Sequence, residues 1–235
     1  RLKILVVRFS SIGDIVLTTP IVRMLKKQLN SEVHFLTKQV NSDLVINNPY
    51  IDTVIIFRES ISEIIDKLKN ENYDYIIDLH NNIRSQFLLA LGIPITRYSK
   101  SNFKKFIYMN FGVNYLDNEH VVDRYMKAIS FLNVKNDGKG LDYFISNDTQ
   151  VAFDVRQDFI AWSIGGSKIQ KKLSTDHISQ VCRKIDMPII LLGGEKEKFE
   201  AEQVIGNCSA RNIYNLCGRL SLDQSALIIK NCMML

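Results

Sequence analysis

Cysteine, histidine and long apolar runs are all scarce in this chain, and each scarcity removes a class of function. The four cysteines, Cys182, Cys208, Cys217 and Cys232, fall in the last quarter with no CxxC spacing. Neither a disulfide framework nor a cysteine-based zinc site is expected, and the thiols read as reduced. The four histidines, at 34, 80, 120 and 177, form no HxH or HxxxH pair, so no metal centre is expected. Apolar runs such as 4–7, 54–57 and 188–192 are far shorter than the roughly 18–20 residues that span a bilayer. No basic stretch followed by a long apolar segment opens the chain. Charge of one sign is also lacking: 30 Lys and Arg against 25 Asp and Glu give a net +5, spread too evenly for the concentrated basic face that nucleic-acid binding needs. A cytoplasmic location is the expectation.

What remains is a chain of 235 residues, 46% hydrophobic and 23% charged, enough for one large or two modest domains with real cores. Short β-branched runs alternate with helical patterns. Strands are predicted at 2–7, 32–37, 53–57, 73–79 and 95–98, with helices at 15–29, 40–47, 60–70 and 83–91 between them. In the first helix Ile15, Val16, Ile21, Val22, Leu25 and Leu29 keep a helical period, with Arg23, Lys26 and Lys27 expected to face out. Strands apolar on both faces and separated by helices indicate a parallel sheet covered on both sides.

A helix at 121–132 is followed by turn chemistry at 136–140 and 146–149. The alternation then restarts, with strands at 159–164, 188–192, 212–216 and 232–235 and helices at 175–184, 196–205 and 222–230. The expected organisation is an N-terminal α/β domain over 1–145, a linker over 146–158 and a second α/β domain over 159–235. The last strand falls at the chain end, and an α/β domain usually exceeds about 80 residues, so the second domain is expected to be incomplete.

The chemistry is sought in the loops after the strands, where a parallel sheet binds ligands. The first is Arg8-Phe9-Ser10-Ser11-Ile12-Gly13-Asp14. It holds one glycine where the dinucleotide fingerprint needs three, and no phosphate-loop motif GxxxxGK[ST] is present. Gly13 would let a ligand approach the backbone closely. Asp14, the loop's only acid, has two readings: a first-turn carboxylate favoured by the helix dipole, or a general base taking a proton from an acceptor hydroxyl.

Further on, Gly165-Gly166-Ser167 follows a strand, and its N–H groups and hydroxyl suit phosphate oxygens, with Lys168, Lys171 and Lys172 adding charge. The rival reading is a solvated basic loop. Gly193-Gly194-Glu195-Lys196-Glu197 ends another strand; its acids suit either a ribose or a helix dipole. His80, after Asp78, reads as an acceptor contact or a satisfied loop histidine. The stretch 97–111, with Lys100, Lys104 and Lys105 among its basic residues, several aromatics and no acid, suits an anionic glycolipid or membrane surface, or else is a core helix with a solvated face. No GxSxG elbow appears, and no cysteine is placed as a nucleophile.

Four of these segments, with a fifth from Asn215, occur together in one known family. Phe9-Ser10-Ser11-Ile12-Gly13-Asp14-Ile15-Val16-Leu17-Thr18-Thr19-Pro20 is similar to the opening motif of the ADP-heptose:lipopolysaccharide heptosyltransferases, glycosyltransferase family 9. Asp78-Leu79-His80-Asn81-Asn82-Ile83-Arg84-Ser85, Gly165-Gly166-Ser167 with Lys171, Leu192-Gly193-Gly194-Glu195-Lys196-Glu197 and Asn215-Leu216-Cys217-Gly218-Arg219-Leu220-Ser221-Leu222 follow in the family's order. The resemblance implies a GT-B fold, two Rossmann-like parallel-sheet domains facing a cleft. It implies inverting transfer of a heptose from ADP-heptose to the lipopolysaccharide inner core, with no cofactor beyond the donor substrate.

By the same resemblance, Asp14 and Lys171 are catalytic, the lysine matching that of the family's TKRWP pattern, from which the chain departs at Gln170, Leu173 and Ser174. Gly165, Gly166, Ser167, Gly193, Gly194 and Glu197 would bind the donor, Glu197 at its ribose. Ser11, Gly13, His80, Lys100, Lys104 and Lys105 would face an anionic glycolipid acceptor, with peripheral contact at the inner membrane. The family's later Asp-Thr/Ser-Gly-x-x-His motif would lie past Leu235. The rival class is a noncatalytic nucleotide- or glycan-binding protein that keeps the fold.

Overall fold

Period-two alternation along each strand decides which side chains meet which helices. In the computed structural model, which describes residues 1–99, 119–153, 158–166, 169–208 and 212–235, the first sheet consists of β1 (Lys3–Val7), β2 (Glu32–Lys38), β3 (Thr53–Phe57), β4 (Tyr75–Asp78) and β5 (Ile95–Arg97). All pairings are parallel, in the order β3-β2-β1-β4-β5. The central strand places Val7 opposite Leu36 on one side and Asp78 on the other, so the loops after β1, β2 and β4 open along one edge.

One face of this sheet, with Ile4, Val6, Val33, Phe35 and Ile77, packs against α1 (Ile12–Val16), α2 (Thr19–Leu29) and α5 (Val121–Ala128). The other, with Leu5, Val7, Leu36, Ile55 and Ile76, packs against α3 (Ile65–Asn70) and Leu88, which lies just beyond α4 (Ile83–Gln86). Each such side chain removed fully from water contributes roughly 1.5–3 kcal/mol.

The single helix expected over 15–29 is two helices. Pro20 stands in the first turn of α2, where its missing N–H costs nothing, and Thr18 N–H turns back to Ile15 O at 2.9 Å. The expectation that Arg23 faces solvent is also overturned: it is 1% exposed. Its guanidinium pairs with both oxygens of Asp137 at 2.8 Å, with Asp142, and with Gly140 O at 3.0 Å. Helical period assigns a face, but a charge can be buried where enough acceptors converge on it. Here they come from a segment more than a hundred residues later.

The second sheet holds β6 (Ile160–Ser163), β7 (Ile189–Leu192) and β8 (Ile213–Asn215), parallel in that order. Instead of a strand over 232–235, Met234 forms a parallel bridge with Ile160. Ile189, Leu191 and Ile213 pack against α6 (Thr175–Cys182) and α7 (Lys198–Cys208). Phe159, Ala161 and Ile190 pack against Ile228 of α8 (Leu222–Asn231). The chain divides into two units, Arg1–Phe144 and Ile145–Leu235. No helix among the described residues is long and apolar enough to cross a membrane.

Candidate active site

The loop after β1 is built around Arg8, a residue to which the sequence assigned no role. Its backbone continues the sheet, N–H to Leu36 O at 3.1 Å, and its side chain is buried beneath the loop. Nε donates to Ser10 O at 2.7 Å, and Nη1 donates to Leu79 O at 2.6 Å and to the Tyr125 hydroxyl at 3.2 Å. Nη2 lies 2.6 Å from Oδ2 of Asp14. One guanidinium therefore ties the β1 loop, the β4 loop and α5 together. The available signal was an arginine directly after the apolar run Ile4–Val7.

Asp14 stands in the first turn of α1. Its Oδ2 also accepts from Ser11 N–H at 3.3 Å and from the Ser11 hydroxyl at 3.0 Å. Oδ1 has no hydrogen-bond partner among the described residues, and the side chain is 38% exposed. Burial alone would raise the Asp14 pKa, but the charge of Arg8 and the donors of Ser11 outweigh it, so the carboxyl is held below its ordinary value. The capping contacts and the ion pair thus fall on one oxygen of the carboxylate. A Cβ at Gly13 would meet nothing within 4 Å, so no neighbour in the protein demands glycine there.

Asp78 is fully buried and serves its own loop. Oδ1 accepts from the N–H groups of His80 and Asn81 at 3.1 and 2.8 Å; Oδ2 accepts from the Ser85 hydroxyl at 2.6 Å and from Arg97 Nε at 3.0 Å. That saturation makes it a loop organiser and leaves no lone pair facing a substrate. It holds His80 half-buried with its ring 4.6 Å from that of Phe9. Leu79 N–H bonds Val7 O at 3.1 Å, so Ser11, Asp14 and His80 sit on adjacent loops of one sheet edge. Lys100, Lys104 and Lys105 lie outside the described residues.

In the second unit the glycines serve Glu197. A Cβ on Gly193 would lie 2.8 Å from Glu197 Cβ and 3.1 Å from Cys217 Sγ; one on Gly194 would lie 3.3 Å from Glu197 Oε2, and one on Gly165 3.6 Å from its Cδ. Gly193 is therefore required by packing, and Gly165 and Gly194 flank the same carboxylate. Gly218 has φ +67° and donates to Gly193 O at 3.0 Å, and a Cβ there would lie 2.8 Å from Glu195 Cα, a position only glycine fills without strain.

Glu197, 9% exposed, accepts from Gly194 N–H at 3.0 Å and pairs with Lys172 at 2.8 Å. The lysine lowers its pKa despite burial. A pocket of about 880 Å³ opens here, lined by Gly166, Lys172, Lys196, Glu197 and Glu200 among others, a size that suits a nucleotide-scale ligand. Lys171 ends the 3₁₀ turn Ile169–Lys171 and is exposed outside that lining; Lys172, one residue on, is the lysine in it. Ser167 lies outside the described residues. Cys217, beneath Gly193, is fully buried, and burial pushes its thiol up to about 11, which leaves it unreactive at neutral pH.

Two parallel α/β units with loop sites at their strand ends define the class: a GT-B fold. The model for "Glycosyltransferase family 9 (heptosyltransferase)" matches residues 61–235, and the chain belongs to that family. Lipopolysaccharide heptosyltransferase 1 of Campylobacter coli is 24% identical, over 98% of this chain and 76% of that protein. The family 9 glycosyltransferase of Veillonella parvula superposes with a TM-score of 0.81 at 20% identity, covering 99% of this chain and 75% of the other. The E. coli heptosyltransferase WaaC with ADP gives 0.71 at 16%, covering 98% and 79%. The chain is a heptosyltransferase-like glycosyltransferase.

Proposed function

We propose that the enzyme transfers a heptose, or a closely related sugar, from ADP-heptose to an inner-core lipopolysaccharide acceptor with inversion. The observation that carries the reading is the division of labour on Asp14: Oδ2 is anchored by Arg8 and Ser11 while Oδ1 has no hydrogen-bond partner among the described residues. The acceptor hydroxyl oxygen attacks the anomeric carbon, the bond from that carbon to the diphosphate oxygen breaks, and ADP departs with the electron pair. The hydroxyl proton goes to Oδ1. A carboxylate of lowered pKa is a weak base, so it takes the proton late, as attack makes the hydroxyl acidic. Inversion follows from a single displacement.

In this reading the second unit binds the nucleotide, with Glu197 toward the ribose and the N–H groups of Gly165 and Gly166 toward the diphosphate. Lys171, exposed beside the pocket, meets the charge on the leaving group. Support for ADP-heptose as donor comes from the E. coli structures of WaaC with ADP and with ADP-2-deoxy-2-fluoro heptose. His80, Gly13 and Ser11 face the acceptor. Lys100, Lys104 and Lys105 meet its anionic groups at the cytoplasmic face of the inner membrane. The test is turnover of ADP-heptose with a lipopolysaccharide-core acceptor by wild type and Asp14→Asn. Wild-type turnover reduced about 100-fold or more in the variant is expected; equal rates would move the base elsewhere.

A further inference from the structure

Lys172 joins two loops at one sheet edge. It follows the 3₁₀ turn after β6, and its Nζ lies 2.8 Å from Oε1 of Glu197 and 3.3 Å from Oε2 of Glu200. Those acids stand just before and within the first turn of α7, beyond β7. The second oxygen of Glu197 is held by Gly194 N–H, the side chain occupies the room that Gly193 leaves by having no Cβ, and the residue is only 9% exposed. A carboxylate this enclosed, with a second carboxylate one turn on, needs a cation to stay charged.

Resting on the nucleotide-sugar reading of this pocket, we propose that Lys172 is a positioning residue: it holds the Glu197 carboxylate in place as the acceptor for ribose hydroxyls of a nucleoside diphosphate. Lys172 acts through Glu197, whereas the exposed Lys171 is left for the leaving group. The pair shifts both partners in the matching sense: the hydrogen bond to Glu197 raises Lys172 against burial, and the same bond lowers Glu197. Without the ammonium, Glu197 faces Glu200 across a partly buried gap, and its ionised form is disfavoured in weak acid.

The experiment is calorimetric titration of the full chain with ADP and with adenosine between pH 5 and 8. Wild type, Lys172→Met, Lys172→Arg, Glu197→Gln and the Lys172→Met/Glu197→Gln double variant are compared. Wild-type affinity is expected to be flat across this range. Lys172→Met should weaken both ligands about 10-fold, the scale of one charge-assisted contact, with the loss growing toward pH 5. Lys172→Arg should restore most of it, and the double variant should be little worse than Glu197→Gln alone.

Additive losses, a flat pH profile in Lys172→Met, or a loss confined to ADP would overturn the proposal and assign Lys172 to the phosphates. Wild-type affinity in Glu197→Gln, or no ADP binding by wild type, would instead overturn the reading of the pocket on which the proposal rests. If Lys172→Met fails to fold by circular dichroism, Lys172→Gln carries the same comparison.

Discussion

Nη2 of Arg8 lies 2.6 Å from Oδ2 of Asp14, joining a buried guanidinium to a carboxylate that is 38% exposed. The pair couples the fold of the first unit to its proposed chemistry, because the cation that ties three elements together also sets the basicity of the acid beside it. Asp14→Asn keeps an oxygen for Arg8 and for Ser11, so its stability should fall by only about 1 kcal/mol, the scale of an exposed pair. Arg8→Met orphans Leu79 O and Ser10 O as well and should cost about 3 kcal/mol. It should also raise the Asp14 pKa, moving the acid limb of kcat to higher pH. An unmoved limb in a folded Arg8→Met enzyme would separate the pair from catalysis.

Two glycines should respond in opposite ways. Gly13 has open space around its missing Cβ and lies inside α1, so Gly13→Ala should leave the protein as stable or about 0.5–1 kcal/mol more stable, while raising the acceptor KM. Gly193→Ala pushes a methyl to 2.8 Å from Glu197 Cβ and should destabilise by about 1–3 kcal/mol. Thermal melts and acceptor titrations read both.

Acid stability should report on the Arg23 cluster. Hydrogen bonding to Arg23 lowers Asp137 to about 2, below its unfolded value of about 3.9. A depressed carboxylate contributes stability that is complete above the unfolded pKa and is lost as pH falls through the folded one. Unfolding free energy should therefore decline between about pH 4 and 2, and Asp137→Asn should flatten that slope while lowering stability at pH 7.

His34 gives a second, separate window. Burial, then the charge of Lys3, lowers its pKa, although Glu32 and Glu71 oppose them. It is held by the Tyr73 hydroxyl at 2.8 Å and by Glu32 at 3.0 Å. The unfolded chain binds a proton at higher pH than the folded one, so stability falls as pH drops below about 6.5. Urea titrations from pH 8 to 5 should show this decline, and His34→Gln should reduce it.

The alternation of strands and helices, the parallel sheet and its two-sided core were legible because apolar runs and their spacing are local properties of the chain, whereas the order β3-β2-β1-β4-β5 was not, because it is set by pairing between distant segments. Asp14 and Glu197 stood out as candidates in the same way, each an acid in a glycine-containing loop after a strand. The position of Arg23 was not legible, because its helical period points outward and the acids that allow its burial come from residues 137 and 142. Arg8 is the same case at the site: its worth depends on Leu79 and Tyr125, brought to it by parallel pairing and helix packing.

The glycines after β6 read in sequence as a phosphate cradle and those after β7 as the setting of an acid for ribose or helix dipole; in the fold Gly165, Gly193 and Gly194 all lie against Glu197. Adjacent lysines 171 and 172 differ in sequence only by the family pattern that Lys171 matches; tertiary structure gave Lys172 a buried carboxylate and left Lys171 in solvent. Sequence alone determined which residues could carry charge, bend the chain or enter a core. Which charges meet was decided only when distant loops were brought to one sheet edge, because a side chain's energy is set by partners that local spacing does not encode.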